Sequence, residues 1–167
     1  MLTRGSRKEE ISMVHVLFVC LGNICRSPMA EAVFRHLVRQ EGLSGFIEVD
    51  SAGIGDWHAG EPPHQGTQRV LREKGIEHET LRARQIRKED FARFDYIVCM
   101  DEENLSALKR LAPKDKKIVR LLDFAPEVKE ANVEDPYYTG RFDYVYELVL
   151  AGCRGLLEEI KREHVKQ

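Results

Sequence analysis

The hydrophobic pattern opens with a nearly continuous apolar run over residues 14–19, as expected of a strand buried on both faces of a sheet. The period then lengthens. Met29, Val33 and Leu37 recur at every fourth position, and Ala32 and Val38 widen the stripe, so the chain predicts an amphipathic helix against a core. Ser27-Pro28 marks its start, with Ser27 a candidate cap, and Glu41-Gly42 marks its end. A second strand is predicted over 47–52, followed by the polar loop "GIGDWHAGEPPHQG" and a helix over 67–74 closed by Gly75. A third strand falls at 96–100 and a helix at 102–111, stopped by Ala112-Pro113. A fourth strand lies within 117–124. After a long loop containing "EDPYYTG", Phe142, Val145, Val149, Gly152, Leu156 and Ile160 mark a final amphipathic helix.

Strands alternating with helices predict an α/β, single-domain, three-layer fold: a central four-stranded parallel sheet with helices on both faces. Such sheets bind ligands beyond the carboxyl ends of their strands. The loop that leaves the first strand, beginning at Cys20, is therefore the natural place to look for a site.

Composition narrows this further. A chain of 167 residues with 43% hydrophobic and 32% charged residues fits one globular domain. A net charge of −2 gives no argument for nucleic acid or acidic membrane as a partner, and no apolar run reaches the ~20 residues of a membrane span. Residues 1–12 are polar, lack a signal-like apolar stretch, and read as a flexible extension before a domain at 13–167, with Met13 an alternative start. The four cysteines do not have the spacing of a disulfide scaffold, which predicts a reduced, cytoplasmic protein. "CLGNIC" is not a Cys-x-x-Cys pair and has no matching second pair, so a zinc site is not expected, and the chemistry read below requires no metal or organic cofactor.

The stretch "CLGNICRSP" carries the chemistry. A helix start presents unsatisfied N–H groups and positive potential, and a loop with Gly22 and Asn23 can turn its N–H groups inward around an anion. Arg26 adds a planar fork that matches two phosphoryl oxygens. The same field favours a thiolate at Cys20, which makes the loop a phosphate cradle with a nucleophile at its base. Neither a "GxxxxGK[ST]" nor a "GxGxxG" pattern is present to suggest a nucleotide loop. Cys99 and Cys153 read as small buried fillers. Thiolate attack on phosphorus also needs an acid for the leaving oxygen, and "EDPYYTG" offers Glu134 and Asp135, which as residues alone are equally well an acid or a surface turn. Asp101, after the third strand, reads as a structural carboxylate near the site.

"VCLGNICRSPMAEAVF" resembles the signature of the low-molecular-weight protein tyrosine phosphatases: a Cys, five residues, an Arg, then Ser or Thr, matched by Cys20, Arg26 and Ser27. The resemblance runs from about Val14 to the final helix and includes "EDPYYTG". It implies that Cys20 is the nucleophile and Asp135 the general acid, with Arg26 and the loop Leu21, Gly22, Asn23, Ile24, Cys25 and Ser27 holding the phosphoryl group. It implies that Trp57 and Tyr137 wall a slot deep enough for the ring of phosphotyrosine, with Tyr138 at its rim and both tyrosines open to phosphorylation themselves. Partners would be phosphotyrosine-containing proteins or peptides. Ser51 is expected to support Asn23, and Ser27 either to donate to the Cys20 thiolate or to cap the helix. Where mammalian members support Asn23 with a His, this chain has Leu81. Cys25 is expected to pair reversibly with Cys20 under oxidant.

Three rivals share the cradle. Protein-arginine phosphatases resemble this chain but carry Thr at the position of Ile24. Thiol-linked arsenate reductases need a cysteine relay, and Cys99 and Cys153 do not form a recognisable one. A non-catalytic phosphate-binding module would have no use for the set Cys20, Arg26 and Asp135.

Overall fold

The computed structural model describes residues 13–165, so the expectation for 1–12 lies outside the described residues. Strands β1 (Val14–Cys20), β2 (Ile47–Gly53), β3 (Tyr96–Cys99) and β4 (Val119–Arg120) form one parallel sheet in the order β2-β1-β3-β4. The chain moves from β1 to β2 on one side, then crosses to β3 on the other. The switch in direction therefore falls between β1 and β3, where an open α/β sheet leaves a crevice. Val19 lies opposite Ala52 on one side and Cys99 on the other, so the loops after β1 and β3 emerge side by side.

Alternation along β1 explains the layers. Val16 and Phe18 point into one core with α1 (Arg26–Gln40), α2 (Gln65–Glu73) and α6 (Phe142–His164). Leu17 and Val19 point into the other, with Phe91 and Phe94 around α3 (Lys88–Arg93) and Leu108 of α4 (Glu102–Leu111). A strand covered on both faces has no polar side, which is why β1 reads as a continuous apolar run. Gly42 and Gly75, both at φ +70°, end the first two helices where the sequence places their stops.

One expectation needs correction, and three features go beyond the sequence reading. Helix α1 begins at Arg26 with Cys25 at its cap position and no side-chain cap, so Ser27 lies inside the first turn rather than capping it. The fourth strand is only two residues long. Leu121–Phe124 turns into a 3-10 helix because the Asp123 carboxylate accepts from the Arg120 N–H at 3.0 Å and Leu121 and Leu122 bury into the core. Helix α3 was not foreseen: its six residues are too few to show a helical period. A further single turn, α5 (Pro136–Thr139), lies within the long loop, where "DPYYTG" becomes an Asp-capped turn ended by Gly140 in left-handed backbone.

Candidate active site

The loop between β1 and α1 turns its carbonyls outward. The carbonyls of Cys20, Leu21 and Ile24 accept backbone N–H groups of Ile54, Gly55 and His64 at 3.0, 3.0 and 2.7 Å. That of Cys25 accepts the Thr67 hydroxyl at 3.1 Å. Among the described residues, the N–H groups of Leu21 through Cys25 donate to nothing inside the protein. A run of unused N–H groups at a helix start is a cradle for an anion. Asn23 holds the turn at φ +60°, a left-handed backbone that Asn tolerates when its side chain is fixed.

That side chain is fixed three times. Asn23 Nδ2 donates to Ser27 Oγ at 2.7 Å and to Ser51 Oγ at 3.0 Å, and Asn23 Oδ1 accepts from the Arg84 N–H at 3.0 Å. Leu81 is buried, and the Arg84 backbone supplies a support that asks for no histidine. The chain of bonds has a direction. Ser51 donates to Glu31 at 2.6 Å, so its lone pairs face Asn23. Ser27 accepts from Asn23, so its own hydrogen is left for Cys20 Sγ, 3.0 Å away. The Ser27 N–H adds a second donor to the sulfur at 3.4 Å. Glu31 itself is held above the usual carboxylate range by burial, against the opposing pull of Arg35 and the Ser51 hydroxyl.

Arg26 is buried at the base of the loop. Its Nη1 donates to Asp101 at 2.6 Å and to the Val133 carbonyl at 2.9 Å, and its Nη2 reaches Asp135 at 3.4 Å. Burial works against the charge, but Cys20, Asp101 and Asp135 outweigh it and hold the guanidinium above its ordinary value. Arg26 Nε is buried with no hydrogen-bond partner in the protein. An unused donor of this kind is costly unless a ligand oxygen completes it.

Above the cradle lies a cleft of about 230 Å³ lined by Cys20, Leu21, Gly22, Ile24, Cys25, Arg26, Trp57, His58, Asp135, Tyr137 and Tyr138. Trp57, Tyr137 and Tyr138 are 65%, 53% and 77% exposed, which is the behaviour of walls rather than of core. Asp135 Oδ1 caps α5 through the Tyr137 N–H at 3.1 Å, leaving the other oxygen toward Arg26. Of the expected residues, Cys20, Leu21, Gly22, Ile24, Cys25, Arg26, Trp57, Asp135, Tyr137 and Tyr138 line this cleft, while Asn23, Ser27 and Ser51 are hydrogen-bonded to one another outside its lining. Glu134, the alternative acid, pairs with Arg141 and does not line the cleft. Both Cys20 and Cys25 are free thiols, and burial, then the charges of Cys20 and Asp135, push Cys25 up to about 12 against the pull of Arg26.

Several contributors escaped the sequence. Glu31 stands four residues after Ser27 on α1, a spacing that puts both on one helix face and was legible in principle. The Val133 carbonyl and the Arg84 N–H are backbone groups, which no residue pattern reports. His58 lines the cleft with its Nδ1 3.0 Å from Glu61. Asp101 was read as structural and does cap α4, with its Oδ1 accepting from the Asn104 N–H at 2.7 Å, while its other oxygen orients Arg26.

A cysteine in an anion cradle, at the switch point of a parallel α/β sheet, with an arginine fork below and a carboxyl above, defines a thiol site for phosphoryl groups. Comparison with known proteins places it more closely. Residues 15–166 match the family described as low molecular weight phosphotyrosine protein phosphatase. The low molecular weight protein-tyrosine-phosphatase YfkJ of Bacillus subtilis is 52% identical over 153 residues, 90% of this chain and 98% of its own. Its crystal structure superposes with a TM-score of 0.89 over 93% of this chain and 98% of that one. PtpA of Staphylococcus epidermidis, of the same description, is 42% identical over 90% of this chain and 96% of its own. DARP, a Drosophila arginine phosphatase, is 36% identical with a TM-score of 0.82 over 89% of this chain and 98% of that one. The chain belongs to the low molecular weight phosphotyrosine protein phosphatase family.

Proposed function

We propose that this protein is a protein-tyrosine phosphatase that hydrolyses phosphotyrosine in proteins and peptides, and small aryl phosphates, through a cysteinyl-phosphate intermediate. The observation that carries this reading is the convergence of Cys20 Sγ, the Arg26 fork and the Asp135 carboxyl in one aromatic-walled cleft. The phosphoryl oxygens take the loop N–H groups and Arg26 Nε, and the tyrosyl ring lies between Trp57 and Tyr137. With Arg26 turned to the phosphoryl group, the Asp135 carboxyl is left to serve as the acid above the leaving oxygen. The Cys20 thiolate attacks phosphorus, the phosphorus–oxygen bond breaks, and the phenolate takes the Asp135 proton. Asp135 then removes a proton from water, which attacks phosphorus, breaks the sulfur–phosphorus bond and restores the thiolate with release of inorganic phosphate. Ser27 donates to the thiolate as it forms and leaves. None of these steps calls on a metal or organic cofactor. A domain at 13–167 working on phosphotyrosine proteins in the cytoplasm is part of the same proposal.

The test is turnover of phosphotyrosine, phosphoserine and phosphoarginine peptides, and of arsenate with thiol, by the parent, Cys20→Ser and Asp135→Ala. Phosphotyrosine turnover is expected, abolished in Cys20→Ser and lowered about 10²- to 10⁴-fold in Asp135→Ala. Preference for phosphoarginine would overturn the substrate class while leaving the cradle chemistry in place. Ile24 is buried in the loop and offers no hydroxyl to place water against a phosphoramidate, which favours the aryl ester. Arsenate reduction by a cysteine relay is disfavoured because Cys99 and Cys153 are fully buried and burial raises both thiols.

A further inference from the structure

His64 joins three parts of the site that no sequence motif connects. Its N–H donates to the Ile24 carbonyl of the cradle at 2.7 Å. Its Nδ1 accepts the Gly66 N–H at 2.9 Å, which makes it the cap of the nine-residue helix α2. Ser, Thr, Asp and Asn are the usual caps, and an imidazole gains nothing over them as an acceptor. What it adds is a ring. One face stacks on Phe142, with centroids 4.9 Å apart and planes at 21°, and the ring meets Tyr137 edge to face at 5.9 Å and 81°. The chain is shaped to allow this. Carbons of the Phe142 ring lie 2.5 Å from where a side chain on Gly66 would begin, so only glycine lets Phe142 come up beside the cap.

Tyr137 needs such a partner. It sits on the single turn α5 and is half exposed, and its other aromatic neighbour, Tyr138 at 5.1 Å, is more exposed still. A wall that rotates freely must be ordered by each substrate that binds, at the expense of affinity. We propose that His64 is a positioning residue that fixes the Tyr137 wall relative to the phosphate cradle and thereby sets the affinity of the site for aryl phosphates. The inference rests on the phosphotyrosine reading. The cradle binds the phosphoryl group whether or not the wall is fixed, and it is the His64 ring, not its backbone N–H, that meets Tyr137.

Two substitutions separate the cap from the ring. His64→Asn keeps an acceptor for the Gly66 N–H and removes the ring, while His64→Phe keeps a ring and removes the acceptor. The measurements are kcat and KM on a phosphotyrosine peptide, inhibition by inorganic phosphate, and the melting temperature. In His64→Asn, KM is expected to rise about two- to tenfold, the range of one aromatic pair. Its kcat, phosphate inhibition and melting temperature should stay near those of the parent. In His64→Phe, KM should stay near the parent while the melting temperature falls. An unchanged KM in His64→Asn overturns the inference. So does a rise confined to His64→Phe, which would assign the effect to the cap, or a parallel weakening of phosphate inhibition, which would assign it to the cradle. A parent that binds phosphate but does not hydrolyse the peptide sinks the phosphatase reading and this inference with it. Failure in His64→Asn alone sinks only the inference.

Discussion

At the scale of single residues, the loop holds two thiols five positions apart with different hydrogen-bond surroundings. Cys20 has two hydrogen-bond donors on its sulfur, the Ser27 hydroxyl and the Ser27 N–H. Cys25 is buried, and burial first, then the charges of Cys20 and Asp135, raise it from 9.0 to about 12. Iodoacetamide near neutral pH is therefore expected to label Cys20 and spare Cys25, read by peptide mapping. Labelling of Cys25 at the same rate would show that burial does not protect it. The raised value also predicts a stability slope. Between pH 9 and about 12 the unfolded chain ionises this thiol and the folded chain does not. Its contribution is complete below the ordinary thiol range and lost as pH rises through about 12. The parent should accordingly lose stability more steeply than Cys25→Ala across that window in denaturant titrations. Parallel curves would count against it.

At the scale of elements, the β1–α1 loop leans on the β3–α4 loop through one carboxylate. Asp101 spends one oxygen on capping α4 and the other on Arg26. Asp101→Ala loses both and leaves a buried guanidinium short of its closest partner, so a loss of about 3 kcal/mol or more is expected. Asp101→Asn has one acceptor oxygen in place of two and cannot serve both, so it should fall between parent and Ala. Equal stability of Ala and Asn, by urea unfolding, would mean that only one of the two bonds matters. The elements also show what a sequence carries. Helix α4 spans the expected 102–111 and ends at its Ala112-Pro113 stop, because that signal is local. The fourth strand shrinks because an apolar run does not distinguish a strand from a buried 3-10 turn, and here a carboxylate at Asp123 decides. Among the site residues, the contiguous loop from Cys20 to Ser27 was legible in one stretch. Asp135, Trp57 and Tyr137 needed a resemblance to be assigned, because nothing local ties them to a thiol more than a hundred positions away or on another strand. His64 reads locally as the end of a Pro-rich loop, and only packing against Phe142 and Tyr137 shows what its ring does.

At the scale of the whole molecule, the cradle is a long-range construction. Arg26 is held by partners 75, 107 and 109 residues further along the chain, so the anion site exists only when the domain has folded. Whatever binds there stabilises the folded state alone and raises the melting temperature by mass action. At a hundred times its dissociation constant, an inert oxyanion such as sulfate should add about 2.7 kcal/mol. For a domain of this size that is roughly 5 to 10 °C. Recognition and chemistry then come apart in the variants. Cys20→Ser removes the nucleophile but leaves the loop N–H groups and Arg26, so sulfate should still stabilise it while turnover is gone. Asp135→Ala should behave likewise, with Arg26 freed of a competitor. Arg26→Lys replaces the fork with a single ammonium and should lose most of the shift, and Arg26→Ala, if it folds, all of it. A sulfate-induced shift that survives in Arg26→Lys at full size would locate anion binding outside the cradle. A shift missing from Cys20→Ser would mean that the thiolate, rather than the backbone and Arg26, organises the loop.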